Sequence, residues 1–222
     1  MGVKIVETGL RDGHQSLFAT RMNTEEVVKL CEIYEKAGYH AIEVWGGATF
    51  DSCMRFLNED PWERLRKVRA VCKNTKLQML FRGQNILGYR HYSDDVVDMF
   101  CKKSIENGID IIRVFDALND IRNLEQAVKS TKKYGGECQI ALSYTTSPVH
   151  TIEYYVNLAK DIEKLGADSI CIKDMAGVLT PEDATELITA LKKEVKIPLE
   201  LHSHCTAGLC EMTYMAAIKA GC

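Results

Sequence analysis

His202 and His204 stand two residues apart in Leu201-His202-Ser203-His204, at the end of an apolar run opened by Ile197-Pro198-Leu199. Residues two apart on a strand point to the same side, so the two imidazoles share one space and make half of a metal site. Two neutral rings do not satisfy a divalent ion. Asp12, in Leu10-Arg11-Asp12-Gly13-His14-Gln15-Ser16, offers the hard anionic oxygen that is missing. Lys173 is the odd candidate, because an ammonium repels a cation. A buried lysine can lose its proton, however. The neutral amine can then add CO2 to give a carbamate, an anionic oxygen ligand. The plainer alternatives are an ordinary histidine pair, a turn-capping Asp12, and an ion pair of Lys173 with Asp174. Arg11 and Arg82 are suited to grip a carboxylate through paired N–H groups, with Gln15 as a neutral donor. For each arginine the alternative is a structural salt bridge. A metal beside a carboxylate clamp suits a 2-oxo acid, whose ketone the metal or nearby donors would polarise toward an enolate.

Such residues need a scaffold that gathers loops. One pattern recurs along the chain: an amphipathic helix, a glycine, then a short apolar strand. It occurs at Gly38 before Ala41 to Trp45, at Gly108 before Ile111 to Phe115, at Gly135-Gly136 before Gln139 to Leu142, and at Gly166 before Ser169 to Ile172. Glycine at each junction tolerates the left-handed conformation that ends a helix. Val3 to Glu7, Leu77 to Phe81 and Leu199 to His202 complete the expected strands. Helix starts are signalled at Asn23-Thr24-Glu25-Glu26, at Asp60-Pro61-Trp62-Glu63 and at Thr180-Pro181-Glu182-Asp183. The second reads as a cap, a first-turn proline and a capping-box Glu63.

Alternating strands and helices without a dinucleotide fingerprint predict an α/β fold of the TIM (β/α)8 barrel type. The terminal Ala217 to Cys222 repeats the helix-glycine signal that precedes the other strands. The expectation is one domain over 1–222, truncated before strand eight. In such barrels the chemistry sits in the loops at the C-terminal ends of the strands. Arg11, Asp12 and Gln15 follow the first expected strand, Arg82 the third and Lys173 the sixth; the histidines end the seventh. Charged residues gathered on one face raise His202 and His204 above their plain alternative.

The 222 residues are 46% hydrophobic, enough for one sizeable core. A net charge of -3, with both signs spread along the chain, gives no nucleic-acid surface. The densest basic stretch, Arg64 to Arg69, has a helical pattern and is expected to be a solvated face. Nine cysteines are scattered singly with no CxxC, which points to a reduced, cytoplasmic protein rather than a disulfide framework. No apolar run is long enough to span a membrane.

Longer motifs carry a resemblance. The segment around Arg11-Asp12, WGGATFD (Trp45 to Asp51), FLNEDPWERL (Phe56 to Leu65), LFRGQNILGYRHY (Leu80 to Tyr92), RVFDALN (Arg113 to Asn119), LSYTTSPVH (Leu142 to His150), IKDMAG (Ile172 to Gly177) and the His-x-His run resemble the carboxyltransferase domain of biotin-dependent enzymes. That family includes pyruvate carboxylase, the oxaloacetate decarboxylase alpha subunit and the methylmalonyl-CoA transcarboxylase subunit that acts on oxaloacetate. The resemblance implies transfer of a carboxyl group between biotin and pyruvate. It implies a divalent metal (zinc, manganese or cobalt) held by Asp12, His202, His204 and a carboxylated Lys173. It also implies pyruvate on Arg11, Gln15 and Arg82, and the biotin ring near Asp51 and Tyr89. No Met-Lys-Met biotinylation motif occurs in these residues, so the biotin carrier is expected elsewhere. A homodimer is the family habit, and membrane-bound partner subunits accompany the decarboxylase. A family threonine beyond strand eight has no counterpart here. Gly13 and Ser203 stand where alanine and cysteine are common in the family.

Met1 immediately before the first strand suggests a separate-subunit arrangement, which fits the oxaloacetate decarboxylase alpha subunit, the first reading here, or the carboxyltransferase subunit of a split pyruvate carboxylase, the alternative. The competing readings are a metal-dependent acyl-CoA lyase or synthase, such as isopropylmalate synthase, and a non-catalytic fragment. IKDMAG and Tyr144 to Pro148 argue against the lyases, which lack the lysine ligand.

Overall fold

The structure is a computed structural model and describes residues 2–222; Met1 lies outside the described residues. Strands and helices alternate: β1 (Val6–Glu7), α1 (His14–Phe18), α2 (Thr24–Ala37), β2 (Ala41–Gly46), α3 (Gly47–Ser52), α4 (Pro61–Val71), β3 (Lys76–Phe81), α5 (Asp94–Glu106), β4 (Ile111–Phe115), α6 (Glu125–Lys133), β5 (Glu137–Ser143), α7 (Ile152–Leu165), β6 (Ser169–Asp174), α8 (Pro181–Glu194), β7 (Leu199–Ser203) and α9 (Cys210–Ala220). The seven strands follow one another in chain order in a single sheet. This is the (β/α) order of a TIM barrel, and the seven expected strands are all present. β1 is shorter than expected. Its ladder begins at Val6↔Ala41, and Val3 and Ile5 are exposed. The chain divides into two compact units, residues up to 113 with 129–137, and 114–128 with 138–222.

In the first unit, β1, β2 and β3 pair in parallel, with a register shift between Glu43 and Trp45. Trp45, Phe50, Trp62 and Phe100 form an aromatic cluster, with Trp45 and Trp62 ring centres 5.0 Å apart. The capping box at α2 is closed: Asn23 accepts from the Glu26 N–H and Glu26 accepts from the Asn23 N–H. At α4, Asp60 accepts from the N–H groups of Trp62 and Glu63. The expected box is not completed there, because the Glu63 carboxylate pairs with Lys67 one turn on. The basic stretch 64–69 is also not a plain solvated face. Arg64 is buried, donating to Thr24, the Met22 carbonyl and Glu59, and Arg69 pairs with Asp110 at 2.7 Å.

In the second unit, β5, β6 and β7 pair in parallel, with Lys173 opposite His202. Thr151 and Thr180 cap α7 and α8 as N-terminal acceptors, with Pro181 in the first turn of α8. The RVFDALN segment locks a turn: Asp116 accepts from the N–H groups of Leu118 and Asp120, and Asn119 exchanges hydrogen bonds with the backbone of Ser143. Gly38 and Gly166 end α2 and α7 in the left-handed conformation, as their positions predict. One cysteine expectation fails: Cys205 and Cys210 form a disulfide, five residues apart in the loop after β7. The two half-exposed sulfurs are close because this short loop turns back between β7 and α9. Cys31, Cys53, Cys72, Cys101, Cys138, Cys171 and Cys222 are free.

Candidate active site

The loop after β1 is a wide turn, Gly9–Gly13, in which the N–H groups of Arg11, Asp12 and Gly13 all point to the Thr8 carbonyl. This turn buries Arg11 and leaves the Asp12 side chain only 14% exposed. Arg11 Nε donates to Glu43 Oε1 at 2.6 Å. Its Nη2 lies 3.1 Å from Asp12 Oδ2, close enough for an ion pair, but it makes no aligned hydrogen bond. A buried guanidinium with one edge pinned and Nη2 unaligned is equipped to receive a carboxylate.

Glu43 is fully buried and also accepts from Gln78 Nε2 at 2.8 Å and pairs with Arg113 at 3.2 Å. Sequence reasoning did not single out Glu43, Gln78 or Arg113. The signal was present, since each is one polar residue inside an apolar strand. His14 proves structural. Nδ1–H donates to the Leu10 carbonyl at 3.3 Å, and Nε2 accepts from the Met22 N–H at 2.8 Å. Burial lowers its pKa and favours this neutral form. Gln15 is exposed on the first turn of α1.

Arg82 follows β3 and is exposed. Its guanidinium lies 5.2 Å from the Tyr89 ring centre, and Tyr89 is 91% exposed. Asp51, on α3, pairs with Arg55 at 2.7 Å. Gly47 holds this region close: a Cβ there would sit 3.0 Å from Leu87 Cα and 3.3 Å from the Ile86 carbonyl.

In the second unit Lys173 is buried, with Nζ 5.3 Å from the Phe115 ring centre. Parallel register places it opposite His202 on β7, so the two side chains share a face. The His202 and His204 ring centres are 5.3 Å apart. The Asp174 carboxylate faces the other way, as strand alternation requires. It accepts from the N–H groups of Val178 and Leu179 at 3.0 and 2.9 Å. Asp174 therefore shapes the loop. The same loop packs on the next: a Cβ on Gly177 would lie 2.6 Å from the Thr206 nitrogen. Tyr144, inside the LSYTTSPVH motif, stacks on Tyr155, and burial pushes its phenol up to about 12, so it stays a hydrogen-bond donor. The structure thus assembles Arg11 with Asp12 and Arg82 with Tyr89 in one unit, and Lys173 with His202 and His204 in the other. Two imidazoles beside a buried amine that can be carboxylated are donors a borderline divalent ion accepts.

A family model described as HMGL-like matches residues 2–222. The chain belongs to this HMGL-like family. Its motif resemblance to the carboxyltransferases of biotin-dependent enzymes holds along its whole length. It is 59% identical to the B subunit of pyruvate carboxylase from Methanocaldococcus jannaschii, over 99% of this chain and 39% of that protein. It is 55% identical to the methylmalonyl-CoA carboxyltransferase 5S subunit of Propionibacterium freudenreichii subsp. shermanii, over 99% of this chain and 44% of that protein. The carboxyl transferase domain of Rhizobium etli pyruvate carboxylase, solved with pyruvate, superposes with a TM-score of 0.96 at 43% identity. That match covers 99% of this chain and 38% of that one. The chain thus spans about two fifths of the length of the relatives it matches. These relatives favour the pyruvate carboxylase reading over the oxaloacetate decarboxylase reading that the sequence alone placed first. Among the described residues, no helix is long and apolar enough to cross a membrane.

Proposed function

We propose that this chain is the carboxyltransferase part of a cytoplasmic, biotin-dependent carboxylase of the pyruvate carboxylase type, moving a carboxyl group between biotin and pyruvate. The observation that carries this reading is the register of β6 on β7, which sets the buried Lys173 amine beside His202. In this reading Lys173, carboxylated, joins His202, His204 and Asp12 in holding a divalent ion, which when bound polarises the 2-oxo group. Arg11, fixed by Glu43, binds the pyruvate carboxylate, with Gln15 and Arg82 as further donors. Tyr89 and Asp51 meet the ring of biotin brought by a carrier domain or subunit, and two copies of the chain pair as a homodimer.

The chain's own chemistry is positioning. Burial strengthens the Arg11–carboxylate interaction by excluding water. Holding the acid there keeps its methyl group in one place for proton removal and carboxyl transfer.

The test is oxaloacetate decarboxylation by the full-length protein with free biotin and added zinc or manganese, read as pyruvate formed. Lys173→Ala is expected to lower the rate by roughly 100-fold or more and to weaken metal binding. A Lys173→Ala enzyme with full activity and full metal content would refute the assignment. Turnover of oxaloacetate by the wild type without any response to biotin would return it to the lyases.

A further inference from the structure

The loop after β7 carries a second cluster that the proposed reaction does not use. Cys205 and Cys210 are joined as a disulfide, and Glu211 follows at the start of α9. Glu211 Oε2 lies 3.3 Å from Cys210 Sγ, and one ligand atom from each of the three residues lies within 4.8 Å of the other two. Cys205 and Cys210 are half-exposed and Glu211 is exposed, so an ion from solvent reaches them. The other cysteines differ. Six of the seven are buried, and burial pushes Cys53 and Cys222 up to about 11 and Cys101 up to about 12.

We propose that the reduced form of this loop is a second metal site, in which Cys205, Cys210 and Glu211 bind a borderline-soft divalent cation of the zinc class. Two sulfurs and one carboxylate select such an ion over magnesium or calcium, which prefer oxygen throughout. Sulfurs that can bond to each other lie close enough to meet one ion, at about 2.3 Å from zinc. Three protein ligands leave a fourth tetrahedral position for water. The disulfide has no thiolate to offer, so binding requires its reduction. An external dithiol supplies two electrons and two protons, leaves as its own disulfide, and frees two thiols. The ion then displaces both thiol protons as the two metal–sulfur bonds form.

The site is separate from the residues proposed for catalysis, yet coupled to them in the chain. Cys205 directly follows His204, and Thr206 lies against Gly177 of the Lys173 loop. Occupancy would fix the segment in which both loops meet.

The full-length protein is reduced, freed of reductant and titrated with cobalt, which gives a charge-transfer band only with sulfur ligands. The reduced protein is expected to gain the band at one equivalent. The disulfide form, Cys205→Ser and Cys210→Ser should lack it, His202→Ala should keep it, and Glu211→Gln should weaken the affinity about tenfold. Absence of the band in the reduced wild type, or a full band in Cys210→Ser, overturns the proposal. A second measurement is independent of variant folding. Zinc should slow alkylation of Cys205 and Cys210 in the reduced wild type, read by peptide mass spectrometry, and an unchanged rate at both also overturns it.

Discussion

Glu43→Gln separates charge from shape at the centre of the first unit. The carboxylate is fully buried, with Arg11 at 2.6 Å and Arg113 at 3.2 Å, and neither guanidinium is more than 5% exposed. Glutamine keeps the volume and one acceptor but leaves two buried cations without their shared anion. Coulomb attraction for one such pair is about 4 kcal/mol at an effective dielectric constant near 20. Desolvation of Glu43 offsets part of that gain, so the gross figure overstates the loss. Removing one partner of a buried pair costs roughly 3–5 kcal/mol. For a chain of this size each kcal/mol moves Tm by about 2–4 °C, so the expected fall is about 6–20 °C. Thermal unfolding followed by circular dichroism measures it, with Arg122→Ala, an exposed pair with Asp120, as a control that leaves Tm unchanged. Under the proposed role of Arg11 in holding pyruvate, the pyruvate KM should rise about tenfold as Arg11 loses its anchor, with a smaller change in kcat. A variant whose Tm stays within about 3 °C of wild type refutes the argument that this carboxylate is structurally required.

Other perturbations test other parts of the fold. Burial pushes the Glu35 carboxyl up, but hydrogen bonds from Thr75 and Asn74 prevail and hold it down to about 2. Its contribution to stability is therefore full above the unfolded carboxyl value of about 4.3 and is lost as pH falls through about 2. Glu35→Gln should flatten that acid limb in urea titrations, and an unchanged limb would show that the loop at 73–75 is held by something else. Gly177 has φ +68°, and a Cβ there meets the Thr206 nitrogen at 2.6 Å, so Gly177→Ala combines backbone strain with a clash against backbone. It should cost more than about 1 kcal/mol in urea unfolding. Gly47→Ala drives a methyl against the Leu87 backbone and, under the proposed function, should weaken biotin stimulation more than pyruvate binding by displacing the loop of Arg82 and Tyr89. Equal loss of both would show a general defect.

β2, β4, β5 and β6 were legible because each is a run of apolar residues after a glycine, and β3 and β7 by their apolar runs alone. β1 was overread because Val3 and Ile5 are apolar without being covered, and hydrophobicity alone does not report what lies opposite. The caps at Asn23, Asp60 and Thr180 were legible, being local chemistry. The Glu63 box was not, because Lys67 competes for the same carboxylate one turn away. Arg64 was misread as a surface charge. Its partner Glu59 is five residues earlier, but the contacts that bury it come from Met22 and Thr24, some forty residues away. The Cys205–Cys210 disulfide escaped for a related reason, since their spacing fits no familiar motif and only the turn of the loop brings the sulfurs together.

The IKDMAG segment shows why a site of this kind depends on register more than on loop composition. Lys173 and Asp174 are neighbours of opposite charge, and their pairing was the plainer alternative to a ligand role for Lys173. A strand sends them to opposite sides. The amine goes to the face of His202, while the carboxylate binds the N–H groups of Val178 and Leu179 and so holds the turn in which Gly177 meets Thr206. A slip of one residue between β6 and β7 would exchange the two, placing a carboxylate beside the imidazoles and a cation in the turn. The turn would then lose its acceptor and the lysine its burial. The fixed turn and the proposed ligand position are thus one constraint, so changes at Asp174 or Gly177 should damage the proposed metal binding although neither residue is proposed to touch the ion.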